Sequence, residues 1–177
     1  MRRFLLVDDE INVLHALQRA IRQCGIEEGL RVETFADPQA ALERSKEVAF
    51  DVVISDFRMP EMSGVEFLRA YRAIQSDSVR MILSASTEFE AVMSAINEAE
   101  VFRYLAKPWL PEEIGETVKL ALERRDQLRE DLRLVEELRS QLGTMTPQEQ
   151  EAKRLEEQEP GITHVNWGPD GSVHLDE

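Results

Sequence analysis

The chain has 177 residues, enough for one ordinary domain plus an extension, and its 42% hydrophobic and 32% charged residues suit a globular protein with a real core. A formal net charge of −14 argues against a general nucleic-acid or anionic-membrane surface, since both need a cationic face. The single cysteine, Cys24, excludes an intramolecular disulfide framework, and the apolar run Phe4–Val7 is too short for a signal peptide or a membrane span, so a cytoplasmic protein is expected.

Phe4 to Val7 is a continuous apolar run closed by Asp8-Asp9-Glu10, the pattern of a strand buried on both faces of a parallel sheet. Ile11, Leu14, Leu17, Ile21 and Cys24 then recur at helical spacing, and Gly25 stops that helix. Cys24 falls on the apolar stripe and is expected to be a buried structural thiol. Leu30 to Phe35 reads as a second strand. Asp37-Pro38 marks a helix start, with Asp at the N-cap and Pro in the first turn. Val52 to Ser55 forms the third strand and ends on Asp56. Ser63 and Glu66 have capping-box spacing ahead of Val65, Leu68 and Tyr71. Val79 to Ser84 is the fourth strand. Thr87 and Glu90 form a second capping box for a helix carrying Phe89, Val92 and Ile96. Val101 to Leu105 is the fifth strand, and Pro111 with Glu112 and Glu113 starts a fifth helix. Five strand–helix alternations predict a doubly wound α/β domain with a parallel sheet over residues 1–123.

The composition shifts after that point. Residues 126–177 hold 13 acids against 5 Lys or Arg, a net of −8. Leu128, Leu132, Val135 and Leu142 extend the fifth helix to about 32 residues, or roughly 48 Å at 1.5 Å per residue. Arg125 and Arg139 are charged positions in that register. Gly143 to Pro147 interrupts it, residues 148–159 are Gln- and Glu-rich, and 160–177 reads as a small β-hairpin around Gly168-Pro169-Asp170-Gly171. Residues 124–159 are therefore a helical extension and linker, and 160–177 a tail.

The chemistry gathers at the strand ends. Asp8 and Asp9 follow the first strand, Asp56 the third, Ser84 the fourth and Lys107 the fifth, and in a parallel sheet these ends share one edge. Clustered carboxylates favour a divalent cation; Mg²⁺ takes oxygen ligands and commonly sits with phosphate oxygens. A lysine and a hydroxyl beside it suit a transferring phosphoryl group, and a carboxylate can accept one. Taken singly, the same residues have ordinary roles: Asp9 as a helix cap, Asp8 as a solvated loop residue, Lys107 as a surface lysine, Tyr104 as core packing, Ser63-Gly64 as a cap and a turn.

Together, Phe4-Leu-Leu-Val-Asp-Asp-Glu10, Asp51-Val-Val-Ile-Ser-Asp-Phe-Arg-Met-Pro-Glu-Met-Ser-Gly64, Met81-Ile-Leu-Ser-Ala85 and Phe102-Arg-Tyr-Leu-Ala-Lys-Pro-Trp109 resemble the receiver domain of bacterial two-component response regulators. The resemblance implies a flavodoxin-like, five-stranded parallel sheet of order 2-1-3-4-5, here with an extended C-terminal helix and a small terminal β-hairpin. It also implies roles. Asp56 accepts the phosphoryl group from a sensor histidine kinase or a histidine phosphotransfer protein. Asp8, Asp9, Asp56 and the backbone carbonyl of Arg58 hold Mg²⁺. Lys107 pairs with a phosphoryl oxygen, Ser84 bonds another, and Tyr104 is the aromatic switch. Ser84 stands where many relatives have Thr, which loosens the coupling to Tyr104. The peptide bond Lys107-Pro108 is expected to be cis.

No effector signature follows: there is no basic recognition helix and no cyclase or phosphodiesterase motif in the sequence. The expected output is a phosphorylation-dependent protein–protein interaction, without enzymatic activity beyond self-phosphorylation and slow autodephosphorylation. The alternative is a phosphate sink or relay intermediate with no output of its own. The exposed leucine stripe of the extension predicts a homodimer joined as a coiled coil through the C-terminal helix; the alternative is that the stripe folds back on the chain's own α/β domain or packs under the 162–175 hairpin, since Arg125 and Arg139 weaken the seam.

Overall fold

Three apolar strands supply the centre of the sheet. In the computed structural model, which describes residues 2–25, 29–85, 99–143, 166–167 and 173–174, β1 (Arg3–Val7) lies between β2 (Arg31–Phe35) and β3 (Val52–Asp56), and β4 (Val79–Ala85) lies between β3 and β5 (Arg103–Lys107). All four pairings are parallel, and the order is β2-β1-β3-β4-β5, as the family resemblance implies. The chain order reverses direction between β1 and β3, which opens the crevice that doubly wound sheets use for ligands.

Alternation along the strands divides the core into two layers. Phe4, Leu6, Val52, Ile54, Met81, Leu83 and Leu105 pack with Leu14, Leu17 and Ile21 of α1 (Ile11–Gln23) and with Ile114, Val118 and Ala121 of α4 (Pro111–Gly143). Leu5, Val7, Val53 and Ile82 pack with Ala41 and Leu42 of α2 (Pro38–Glu47) and with Val65, Leu68 and Tyr71 of α3 (Gly64–Ile74). Each fully buried Leu, Ile or Phe contributes about 1.5–3 kcal/mol, so the two layers supply most of the drive that holds the edge residues in place.

The local signals behave as their chemistry dictates. Asp37 accepts a bond from the Gln39 amide and Pro38 opens α2. Ser63 and Glu66 form a reciprocal capping box on α3. Gly25 follows α1 at φ +60°, the left-handed value glycine adopts without a Cβ clash. Cys24 is only half-buried, closing α1 with its thiol 3.1 Å from the Ala20 carbonyl. The fifth strand begins two residues later than the apolar run suggests. Its ladder with β4 runs from Met81–Arg103 to Ala85–Lys107, so Lys107 is the last residue of the strand itself. The helix expected around Phe89, Val92 and Ile96 lies outside the described residues.

The chain divides into two units, Met1–Arg129 and Glu130–Glu177. In the first, α4 is tied to the sheet by charge as well as by apolar contact. Asp51, buried beside β3, accepts from the Arg3 amide at 2.8 Å, from Arg125 at 3.3 Å and from Arg129 at 2.6 Å. Arg125 also bonds the Asp77 carbonyl at 2.8 Å and pairs with its carboxylate. Arg125 is therefore a buried residue at the base of the sheet rather than a charged position in an exposed helical seam, and Leu128 packs against the first core layer. In the second unit, Asn166–Trp167 and Val173–His174 pair antiparallel as a two-stranded ribbon.

Candidate functional site

The site is assembled by strand ends. Asp8 directly follows β1, and its own amide bonds the Phe35 carbonyl at the end of β2. Asp56 is the last residue of β3, Ser84 the penultimate of β4 and Lys107 the last of β5. Because all the strands are parallel, these residues meet at one edge. Asp8, Asp56 and Lys107 continue the alternate positions held by Phe4 and Leu6, by Val52 and Ile54, and by Leu105, so all three project from the same layer of the sheet.

The contacts are short and few. The Lys107 ammonium lies 2.6 Å from Asp56 Oδ1 and 2.8 Å from Asp8 Oδ2. Asp56 Oδ2 accepts from the Arg58 amide at 2.9 Å, and Asp8 Oδ1 accepts from the Glu10 amide at 2.8 Å. Asp8 is 1% exposed and Asp56 6%, whereas Asp9 is open to solvent. Glu10, not Asp9, is the residue that caps α1, and no side chain caps its amides. Asp9 is thus left to the acidic cluster, where Asp8, Asp9 and Asp56 each offer an oxygen within 4.8 Å of the others.

Burial pushes the Asp56 carboxyl above the ordinary range; Lys107 and the Arg58 amide pull it back, and the nearby Asp8 charge pushes it up. Burial also works against the Lys107 charge, but its bonds to Asp56 and Asp8 outweigh that cost and hold the ammonium above the usual lysine value. Three carboxylates and one ammonium leave the pocket negative, which suits a hard divalent cation with oxygen ligands. Asp8, Asp9 and Asp56 therefore fit Mg²⁺, and a cation would displace part of the work now done by Lys107.

Ser84 is buried at the same edge and donates to the Ala85 carbonyl at 3.3 Å. It shares its layer with Tyr104, which is half-buried against the second core layer and pairs with Ile82 across the ladder. Lys107-Pro108 is cis, as expected. The backbone contact found for Arg58 is its amide on Asp56; its carbonyl is the atom the family resemblance assigns to the cation.

Gly64 is the residue whose role the sequence hides. Its amide bonds the Phe57 carbonyl at 2.9 Å, and a Cβ there would overlap the Asp56 carbonyl. Gly64 thus lets α3 start against the backbone of Asp56, a close approach that only glycine permits. A glycine in the first turn of a helix, where it costs stability, is the signal that could have marked it. Asp51 also escaped notice. Its signal is Arg125 and Arg129, four apart on one helix face.

Fold and edge chemistry together define a flavodoxin-like α/β protein with an acidic pocket spanned by a lysine. The chain belongs to the response regulator receiver domain family, whose model matches residues 4–119. It is 39% identical over 119 residues to the hydrogenase transcriptional regulatory protein HoxA of Bradyrhizobium diazoefficiens, covering 67% of this chain and 24% of HoxA. It is 35% identical over 123 residues to the transcriptional regulatory protein PrrA of Mycobacterium tuberculosis, covering 70% of this chain and 51% of PrrA. The chain thus spans from about a quarter to about half the length of these relatives. Among solved structures it is similar to the chemotaxis response regulator CheY4 of Vibrio cholerae, with a TM-score of 0.60 at 30% identity over 68% of this chain and 98% of that one. No helix among the described residues is long and apolar enough to cross a membrane.

Proposed function

We propose that Asp56 is the phosphoacceptor of a two-component response regulator, taking its phosphoryl group from a histidine of a sensor kinase or phosphotransfer protein. The observation that carries this is the clamp on Asp56: one carboxylate oxygen on Lys107 at 2.6 Å, the other on the Arg58 amide at 2.9 Å. An Asp56 oxygen attacks phosphorus, the bond from phosphorus to the imidazole nitrogen breaks, and an acyl phosphate forms as the imidazole departs. Lys107 keeps its charge at neutral pH and moves from carboxylate to phosphoryl oxygen. The Ser84 hydroxyl turns from the Ala85 carbonyl to a second phosphoryl oxygen, and Tyr104 follows it inward. Asp8, Asp9, Asp56 and the Arg58 carbonyl would hold Mg²⁺, which when bound offsets the charge of the phosphoryl oxygens.

The output is a change in protein–protein contacts on the face that includes β5 and the first turns of α4, and the remainder of α4 carries it onward. We further propose that the apolar face of α4 beyond Arg129 joins two copies of the chain, and that the protein works in the cytoplasm. Phosphoramidate supplied with Mg²⁺ tests the acceptor assignment. Wild type should gain one hydroxylamine-labile phosphoryl group, and chelation of Mg²⁺ or Asp56→Asn should prevent it. Equal labelling of Asp56→Asn would refute the assignment.

A further inference from the structure

Beyond Arg129, α4 leaves Leu132, Leu134, Val135, Leu138 and Leu142 between 43% and 59% exposed. At about 100° per residue, Leu132, Val135, Leu138 and Leu142 fall within a face roughly 120° wide. Two charged residues, Asp131 and Arg139, lie inside that face, and among the described residues neither makes an ion pair. The opposite side differs. There Arg133 is satisfied within its own helix, 2.7 Å from Glu130 and 2.8 Å from Glu137. Arg133 is thus paired on the outward side, while the two charges on the apolar face have no ion-pair partner among the described residues.

The pattern on that face is symmetric about Val135. Leu132 and Leu138 lie three residues to either side, and Asp131 and Arg139 four. Two such helices related by a two-fold axis through Val135 run antiparallel. Leu132 then meets the partner subunit's Leu138, Val135 meets the partner subunit's Val135, and Asp131 meets the partner subunit's Arg139. The Leu132–Leu138 and Asp131–Arg139 contacts each occur twice and the Val135 contact once, on the axis, as an isologous interface requires. A parallel, in-register pair places Arg139 against Arg139 and Asp131 against Asp131 inside an apolar seam, where like charges oppose pairing.

We propose that this face is covered by a second copy of the chain, antiparallel, in the register centred on Val135. The proposal rests on the dimeric reading above and adds its orientation and register, with Asp131 and Arg139 as the residues that select them. The test uses charge reversals in the full chain, with dimerisation followed by sedimentation equilibrium across micromolar concentrations and helicity checked by circular dichroism. Asp131→Arg and Arg139→Asp each put like charges in contact twice per antiparallel dimer and should each raise the dimer Kd about tenfold or more. The double reversal should restore the wild-type value. In a parallel dimer each reversal merely exchanges one like-charge pair for another. A dimeric wild type with single variants of unchanged Kd therefore overturns the orientation while leaving the dimer standing. Single variants that weaken the dimer without rescue by the double reversal overturn the register. A wild type that stays monomeric overturns the dimer itself, as when another segment of the same chain covers the face.

Discussion

In the proposed reaction Asp56 must be both ionised and available, and its neighbours set that balance. Burial raises its pKa, and Lys107 lowers it by direct contact. Lys107→Met removes that counterweight, so the Asp56 carboxyl rises further. The folded state then binds a proton more readily than the unfolded chain, and stability falls as the pH climbs through that raised value. We expect Lys107→Met to cost about 1–2 kcal/mol near about pH 8 and less near about pH 5. A deficit independent of pH, measured by urea unfolding at both values, would contradict this. In the wild type the Lys107 contribution persists through neutral pH and is lost only as the pH rises through its own elevated value. Gly64→Ala should cost about 1–3 kcal/mol, since the new methyl group meets the Asp56 carbonyl and backbone must shift; an unchanged urea midpoint would remove Gly64 from the account. Asp8, Asp9, Asp56 and Lys107 were legible in the sequence because each ends or follows an apolar run. Gly64 was not, because a close backbone approach between two segments leaves no periodic trace.

At the scale of elements, apolar runs and caps located every described strand and helix of the receiver. The bounds of β5 escaped because strand ends are set by the ladder with β4, and Val101 and Phe102 are apolar without belonging to it. The anchoring of α4 escaped for a related reason. Arg125 resembles a solvated charge until its partners, Asp51 and Asp77, arrive from distant segments. Breaking such a buried pair leaves an uncompensated charge. Arg125→Met should therefore destabilise the receiver by about 3–5 kcal/mol, and Asp51→Asn by a comparable amount, whereas Arg139→Ala should leave receiver stability unchanged within about 0.5 kcal/mol. Chemical denaturation of the three variants separates them, and equal effects at Arg125 and Arg139 would place both in the same solvated register.

For the whole molecule, the proposed function runs from a phosphoryl group in the acidic pocket, through α4, to a partner. The acidic pocket is where a cation would sit. If Asp8, Asp9 and Asp56 hold Mg²⁺, the folded state should gain about 1.4 kcal/mol at ten times the Kd, seen as a rise in Tm that Asp9→Asn abolishes. A Tm rise of the same size in wild type and Asp9→Asn would assign the effect elsewhere. The central claim is that Asp56, among all the acids of the chain, carries the phosphoryl group. Its most direct measurement is reductive trapping: the full chain is phosphorylated with a small donor and Mg²⁺, the acyl phosphate is reduced with borohydride to homoserine, and the modified peptide is sequenced by mass spectrometry. Homoserine at position 56 alone, absent when donor or Mg²⁺ is withheld, is the result expected. Homoserine at Asp8, Asp9 or any other carboxylate, with position 56 unmodified, would contradict the account.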